Sequence, residues 1–283
     1  MRPVISTSEL AQRLATDAQP IVLDVRWRLT GPPGRESYDE GHIPGAVFLD
    51  VDGDLADAPG PRGRHPLPDP ESLQRTLRAA GVSENRAVVA YDDADGSVAA
   101  RAWWLLRWAG HREAAVLGGG FAAWQSEGRP VSRDTPSPEP GNIVVRPGSV
   151  AVLDATQAAE RARQGLLLDA RAPQRYTGET EPVDPRAGHV PGAVNAPFAA
   201  HVGDDGRWRS PEELARHYEG IGVRPGVPVG AYCGSGVTAC SVVLALEWAG
   251  LSDPDRPAAL YAGSWSNWAA DPTRPAATGP EPG

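Results

Sequence analysis

The chain has 283 residues, 41% hydrophobic and 22% charged, with a formal net charge of −9. That length suits two ordinary domains better than one, and the acidic balance argues against a nucleic-acid partner, which selects a basic surface. No apolar run approaches the roughly 20 residues that span a bilayer, and the opening MRPVISTSELAQRL lacks a signal peptide's apolar core. The expectation is therefore a cytoplasmic protein with no membrane partner. Every basic residue is an arginine, a pattern of GC-rich codon use rather than of an arginine-rich binding surface.

In chain order, Ile21–Val25 reads as a short buried strand ending in an aspartate, followed by the block EGHIPGAVFLD. Val88–Tyr91 reads as a second strand, Ala99–Ala109 as a helix, and AAVLGGGFAAW closes the set. SRDTPSPEPGN, from Ser132 to Asn142, is rich in proline, serine and charge and reads as a linker. The blocks then recur in the same order: Leu166–Ala170, AGHVPGAVNAPF, Val227–Tyr232, a helix over Ala239–Ala249, and AALYAGSWSNW. Such self-similarity marks a duplicated unit, here too long for a solenoid repeat. Short continuous apolar strands alternating with helices predict an α/β fold, each copy a mainly parallel sheet flanked by helices. The expected divisions are a first domain over 1–131, a linker over 132–149, a second domain over 150–270, and a mobile tail over 271–283.

Both cysteines lie in one stretch, YCGSGVTAC. Two cysteines make no disulfide framework, and Cys233 and Cys240 lack C-x-x-C spacing. The six histidines are scattered, so no metal is expected. Cys233 follows a strand at the carboxyl edge of the expected sheet, where open α/β folds bind ligands. Gly234, Ser235 and Gly236 let the chain curl, so that successive amides form an anion-binding nest. The helix beginning near Thr238 adds its positive end. Both effects favour a thiolate, the reactive form. Cys240, inside the helical run, reads as a small packing residue.

Taken together, LDVR and LDAR, GHIPGA and GHVPGA, YDD and YCG, and GGGFAAW and GSWSNW resemble the tandem-domain sulfurtransferases of the rhodanese superfamily. The resemblance runs almost end to end. It implies two similar α/β domains with the active site in the second. Tyr91-Asp92 aligns with Tyr232-Cys233, which implies a catalytically silent first domain that covers the site and supplies groups to it.

Within that family the loop discriminates. Rhodanese-like phosphatases carry an arginine six residues after the cysteine, where this chain has Ala239; no guanidinium is there to clamp phosphate. Thiosulfate sulfurtransferases often place two cations directly after the cysteine, where this chain has Gly234 and Ser235. CGSGVTA resembles instead the loop of 3-mercaptopyruvate sulfurtransferases, so Gly234, Gly236, Val237 and Thr238 are expected to line the substrate. The resemblance further implies Arg175 and Arg186 as binders of a 2-oxo acid's carboxylate, with Arg101 assisting from the first domain. It implies Ser235, His65 and Asp57 as proton-handling partners of Cys233. The spacers before Arg186 and His65 are slightly longer than in those relatives. His42 and His189 recur in both copies and read as structural. Trp265 and Trp268 are expected to pack near the loop.

The implied reaction is sulfur transfer from 3-mercaptopyruvate, a small-molecule donor, through a Cys233 persulfide to cyanide, a small thiol or thioredoxin, releasing pyruvate, with no cofactor. The rival activity is thiosulfate:cyanide sulfur transfer; the rival class is a non-catalytic sulfur-carrier module, which commonly lacks the cysteine.

Overall fold

The computed structural model describes residues 1–253 and 257–283. It divides into two compact units. The N-terminal unit comprises Met1–Asp57, Pro68–Ser149 and Val202–Trp208; the C-terminal unit comprises Ala58–Leu67, Val150–His201 and Arg209–Gly283. Each unit therefore borrows a short segment that simple division at the linker would assign to the other.

In the N-terminal unit, strands β1 (Val4–Ile5), β2 (Ile21–Asp24), β3 (Val47–Phe48), β4 (Val88–Tyr91) and β5 (Ala114–Leu117) form one parallel sheet in the order β1-β5-β4-β2-β3. The helices are α1 (Thr7–Leu14), α2 (Gly34–Glu40), α3 (Pro70–Ala79), α4 (Ala99–Trp108) and α5 (Gly120–Ser126). Local sequence sets their starts. Ser6 accepts from the Glu9 amide before α1, and Asp69 accepts from the Ser72 amide before α3, where Pro70 occupies the first turn. Val22, Val89, Tyr91, Ala115 and Leu117 join Leu10, Phe121 and Trp124 in a core. All four residues of β2, β4 and β5 are buried, which explains why these strands read as continuous apolar runs rather than alternating ones.

The C-terminal unit repeats the plan with β6 (Val152–Leu153), β7 (Leu166–Asp169), β8 (Val194–Asn195), β9 (Val229–Tyr232) and β10 (Ala259–Tyr261), ordered β6-β10-β9-β7-β8 and again parallel. Its helices are α6 (Ala155–Gln164), α7 (Pro173–Thr177), α8 (Pro211–Gly220), α9 (Ala239–Trp248) and α10 (Ser264–Ala270), with a 3-10 turn at Phe198–His201. Capping boxes open α6 (Asp154 with Gln157) and α8 (Ser210 with Glu213). The predicted strands and helices thus lie within two residues of those observed. β9 is central and flanked by β7 and β10, so its carboxyl end opens at the middle of the sheet edge.

Two expectations need correction. The segment 132–149 does not hang between domains but lies on the N-terminal unit. Ser132 bridges with His42, and the amides of Gly141, Ile143 and Arg146 donate to the carbonyls of Arg78, Val82 and Ala109. The tail, expected to be mobile, is pinned to the C-terminal unit. Ala277 bridges with His189, the Gly279 amide donates to Thr177, and Pro282 accepts from the Gly192 amide. Proline-rich composition suggested disorder, but backbone carbonyls remain acceptors whatever the side chains. No described helix is long and apolar enough to cross a membrane.

Candidate active site

The strand-end residues organise the site from below. Asp169, the last residue of β7, pairs in register with Tyr232 on β9. Its carboxylate takes Arg171 Nε and Nη2 at 2.6 to 3.1 Å, and Arg171 Nη2 also reaches the Gly188 carbonyl at 2.7 Å. This buried pair is the LDAR motif in three dimensions, and Asp24 with Arg26 repeats it in LDVR. Burial lowers the Arg171 pKa, but Asp169 outweighs it and the net shift is upward. The guanidinium lies 4.7 Å from the centroid of the Trp265 ring. His189 and His42 each stack on a tyrosine, Tyr176 or Tyr38, at 3.8 and 3.9 Å, and bond its carbonyl through Nδ1. Both histidines are structural, as their recurrence suggested.

Above this layer runs the loop Cys233–Thr238. Cys233 is 2% exposed, and its Sγ accepts from the Gly236 amide at 3.1 Å. A sulfur facing an amide at this distance has a donor in place for a thiolate. The first loop residues are fastened to α10: the Trp265 and Ser266 amides donate to the Cys233 and Gly234 carbonyls at 2.9 Å. The Cys233 amide donates to Ser264 Oγ at 3.1 Å, and that hydroxyl donates to the Tyr261 carbonyl at 2.9 Å. Ser264 has φ 53, which makes it the one described non-glycine residue in the left-handed region. Such a backbone costs on the order of 1 kcal/mol and persists only where its surroundings fix it. Gly236 has φ 85, and a Cβ there would sit 2.3 Å from the Ala262 carbonyl oxygen, so only glycine makes this turn. Val237 is buried, and its carbonyl and that of Thr238 start α9 by accepting the Cys240 and Ser241 amides. Cys240 is fully buried on α9, with Sγ donating to the Gly236 carbonyl at 3.3 Å.

Ser235 and His65 come together. Their Oγ and Nδ1 atoms are 2.7 Å apart, and both residues are buried. The arginines divide. Arg175, in the middle of α7, turns Nη1 towards Gly234: a Cβ on that glycine would lie 3.3 Å from it. Arg186 is placed differently from the expectation. Its guanidinium donates to the carbonyls of Ala269 (3.1 Å), Trp268 (3.2 Å), Asp271 (2.8 Å) and Arg274 (2.8 Å). It caps the C-terminal end of α10 and ties down the tail, a structural task suited to a fork with five donors. The second guanidinium at the loop is Arg64, whose Nη2 lies 3.3 Å from the same hypothetical Cβ on Gly234. Arg64 is not among the residues expected from the sequence; its adjacency to His65 is the one local pointer to it.

Asp57 and Arg101 belong to the N-terminal unit. There Asp57 accepts the Asp69 amide at 3.0 Å, and Arg101, fully buried on α4, donates through Nε and Nη2 to the Leu55 carbonyl. Trp265 and Trp268 are buried in the C-terminal core, their indole N–H groups on the Arg186 and Pro275 carbonyls. Among the described residues, no group of three or more histidines, cysteines or carboxylates stands together as a metal site.

The corresponding loop of the N-terminal unit has Asp92 at the nucleophile's place. Its carboxylate is buried and accepts four amides, those of Ala94 and Gly96 on one oxygen and of Val98 and Ala99 on the other, all at 3.0 Å. Burial, helped by Asp95, outweighs these donors and pushes its pKa up to about 6.

Comparison with known proteins agrees with this fold. The rhodanese-like domain family matches residues 6–127 and 152–271. The chain is 46% identical to the "probable 3-mercaptopyruvate sulfurtransferase" of Pseudomonas aeruginosa, over 98% of each chain. It is 35% identical to a thiosulfate sulfurtransferase of Rattus norvegicus, over 94% of this chain and 92% of that one. The crystal structure of a 3-mercaptopyruvate sulfotransferase from Escherichia coli superposes with a TM-score of 0.82 at 31% identity, covering 94% of this chain and all of the other. Two parallel five-stranded sheets in tandem, a cysteine at the central strand end of the second, and matches across both halves lead to one conclusion: the chain belongs to the rhodanese-like domain family, with two copies of the domain.

Proposed function

We propose that the chain is a sulfurtransferase whose Cys233 takes the sulfur of 3-mercaptopyruvate and passes it to a thiol or cyanide. The observation that carries this reading is the placement of positive charge. The loop positions after the cysteine, Gly234 and Ser235, are neutral, while Arg64 and Arg175 stand over Gly234 from outside the loop. That suits a donor whose carboxylate is remote from its sulfur. The names of the relatives at 46% and 31% identity point the same way.

In the proposed step the Cys233 thiolate attacks the donor sulfur. An S–S bond forms, the C–S bond breaks, and its electron pair passes into the enolate of pyruvate, which then takes a proton. The Ser235–His65 pair, hydrogen-bonded at 2.7 Å, is the proton relay. The loop amides stabilise charge at sulfur, and the arginines hold the carboxylate. A second nucleophile, a small thiol or thioredoxin in the cell, removes the outer sulfur in a ping-pong cycle. Both cysteines are free thiols, and the reducing cytoplasm suits such a cycle.

The second reading, transfer from thiosulfate, is favoured by the thiosulfate sulfurtransferase among the relatives. Side-by-side kcat/KM measurements for the two donors, with cyanide as acceptor, test the choice. A preference for 3-mercaptopyruvate beyond about tenfold supports the proposal, and a preference for thiosulfate refutes it.

A further inference from the structure

Tyr176 and His189 in the C-terminal copy are separated by twelve residues, whereas their counterparts Tyr38 and His42 are separated by three. The C-terminal copy thus carries an insert, and the insert brings two carboxylates to the loop. Asp184 is 3% exposed at its side chain. One of its oxygens accepts Arg64 Nη1 at 2.8 Å, and the other accepts Arg175 Nη2 at 3.1 Å. Glu181, 4% exposed at its side chain, takes Arg175 Nη2 at 2.6 Å and Nε at 3.3 Å, and reaches Arg171 Nη1 at 3.3 Å. The Val183 and Asp184 amides hold Glu181 in turn, each at 3.1 Å.

The two guanidiniums are therefore gripped from behind. Arg64 gives Nη1 to Asp184 and turns Nη2 to Gly234; Arg175 gives Nη2 to the acids and turns Nη1 to Gly234. An arginine side chain has several free torsions, and a fixed carboxylate behind it removes that freedom before substrate arrives. Electrostatics adds a second consequence. The two arginines bring two positive charges and Asp184 with Glu181 brings two negative ones, so the mouth of the loop is close to neutral overall. A field of that kind discriminates by substrate charge: a monoanion held by directed N–H groups loses little, whereas a dianion loses the net attraction it needs.

We propose that Asp184 is a positioning residue that sets donor preference: it holds Arg64 and Arg175 in place at Gly234 and keeps the loop mouth near neutral, favouring monoanionic over dianionic sulfur donors. This rests on the proposed transfer from 3-mercaptopyruvate at Cys233.

The test compares wild type, Asp184→Asn and Asp184→Glu, each with 3-mercaptopyruvate and with thiosulfate, cyanide being the acceptor. Asp184→Asn removes the charge while keeping shape. It is expected to lower kcat/KM for 3-mercaptopyruvate, mainly through KM, and to shift the ratio of the two donors towards thiosulfate by about tenfold. Asp184→Glu restores most of the wild-type ratio. A merely structural role would lower both donors in parallel, so an unchanged ratio in a folded Asp184→Asn protein overturns the proposal. If Asp184→Asn fails to fold, Asp184→Ser, which also removes the charge, is measured in its place; the same shift towards thiosulfate is expected, and an unchanged ratio overturns the proposal. Failure of the underlying reading looks different: wild type itself would prefer thiosulfate, whatever the variants do.

Discussion

Asp92 and Cys233 stand one residue past Tyr91 and Tyr232, at the ends of the matching central strands β4 and β9. Both are buried, and both face backbone amides. The difference is what occupies the nest. In the N-terminal copy a carboxylate of the protein itself accepts four amides, so the anion site is filled by its own chain. In the C-terminal copy the group is a thiol, which can be charged, attacked and extended by a sulfur atom. The second difference is the insert after Tyr176, which brings Glu181 and Asp184 to the loop and has no counterpart after Tyr38. One scaffold thus carries a closed nest and an open one, and the change lies in the loop after the central strand and in the insert rather than in the sheet.

The largest expected effect is on chemistry. Cys233→Ser should lower sulfur transfer by at least about 10³-fold, while Cys240→Ser should stay close to wild type in a cyanide assay. Adding Asp92→Cys to Cys233→Ser should restore nothing, because the N-terminal loop has no arginine pair held by an insert; recovered activity would break the comparison. Gly236→Ala comes next. A left-handed turn with a carbonyl 2.3 Å from the new Cβ should cost about 3 kcal/mol, seen as a lower midpoint in urea unfolding. Ser235→Ala should lower kcat by roughly 10²-fold with little change in folding stability. The smallest effect concerns Asp92. A carboxyl whose native pKa is raised to about 6 from 3.8 contributes stability that is fully present below 3.8 and is lost as pH rises through about 6. Acidification from neutral to about pH 5 should therefore stabilise the wild-type protein by about 1 kcal/mol relative to Asp92→Asn. Equal pH profiles in chemical unfolding would mean that the four amide donors offset the burial of the carboxylate, and would contradict the raised Asp92 pKa.

Much of this arrangement was legible because it depends on local chemistry. Apolar runs buried on both faces reveal the parallel strands, and the turn at Gly236 requires glycine, so both leave a mark in the sequence. The two-domain duplication was legible for the same reason: each copy needs the same Asp–Arg pair and the same stacked histidine. The rest depends on contacts distant in sequence. Arg186 and Arg64 lie 122 positions apart, and nothing in either neighbourhood tells which one meets helix carbonyls and which one meets the loop. Glu181 and Asp184 carry no local signal that folding buries them against arginines. The order of the tail escaped for a related reason, since its bonds are made by backbone groups that carry no sequence signature.

The central claim is that Cys233, in the open nest, carries the transferred sulfur. The direct measurement is peptide mass spectrometry of the protein incubated with 3-mercaptopyruvate and no acceptor, with persulfides trapped by alkylation. The account predicts one added sulfur on Cys233, none on Cys240, and loss of the added sulfur when cyanide is supplied. Sulfur on Cys240, or on neither cysteine while the protein turns over donor with cyanide, would contradict it.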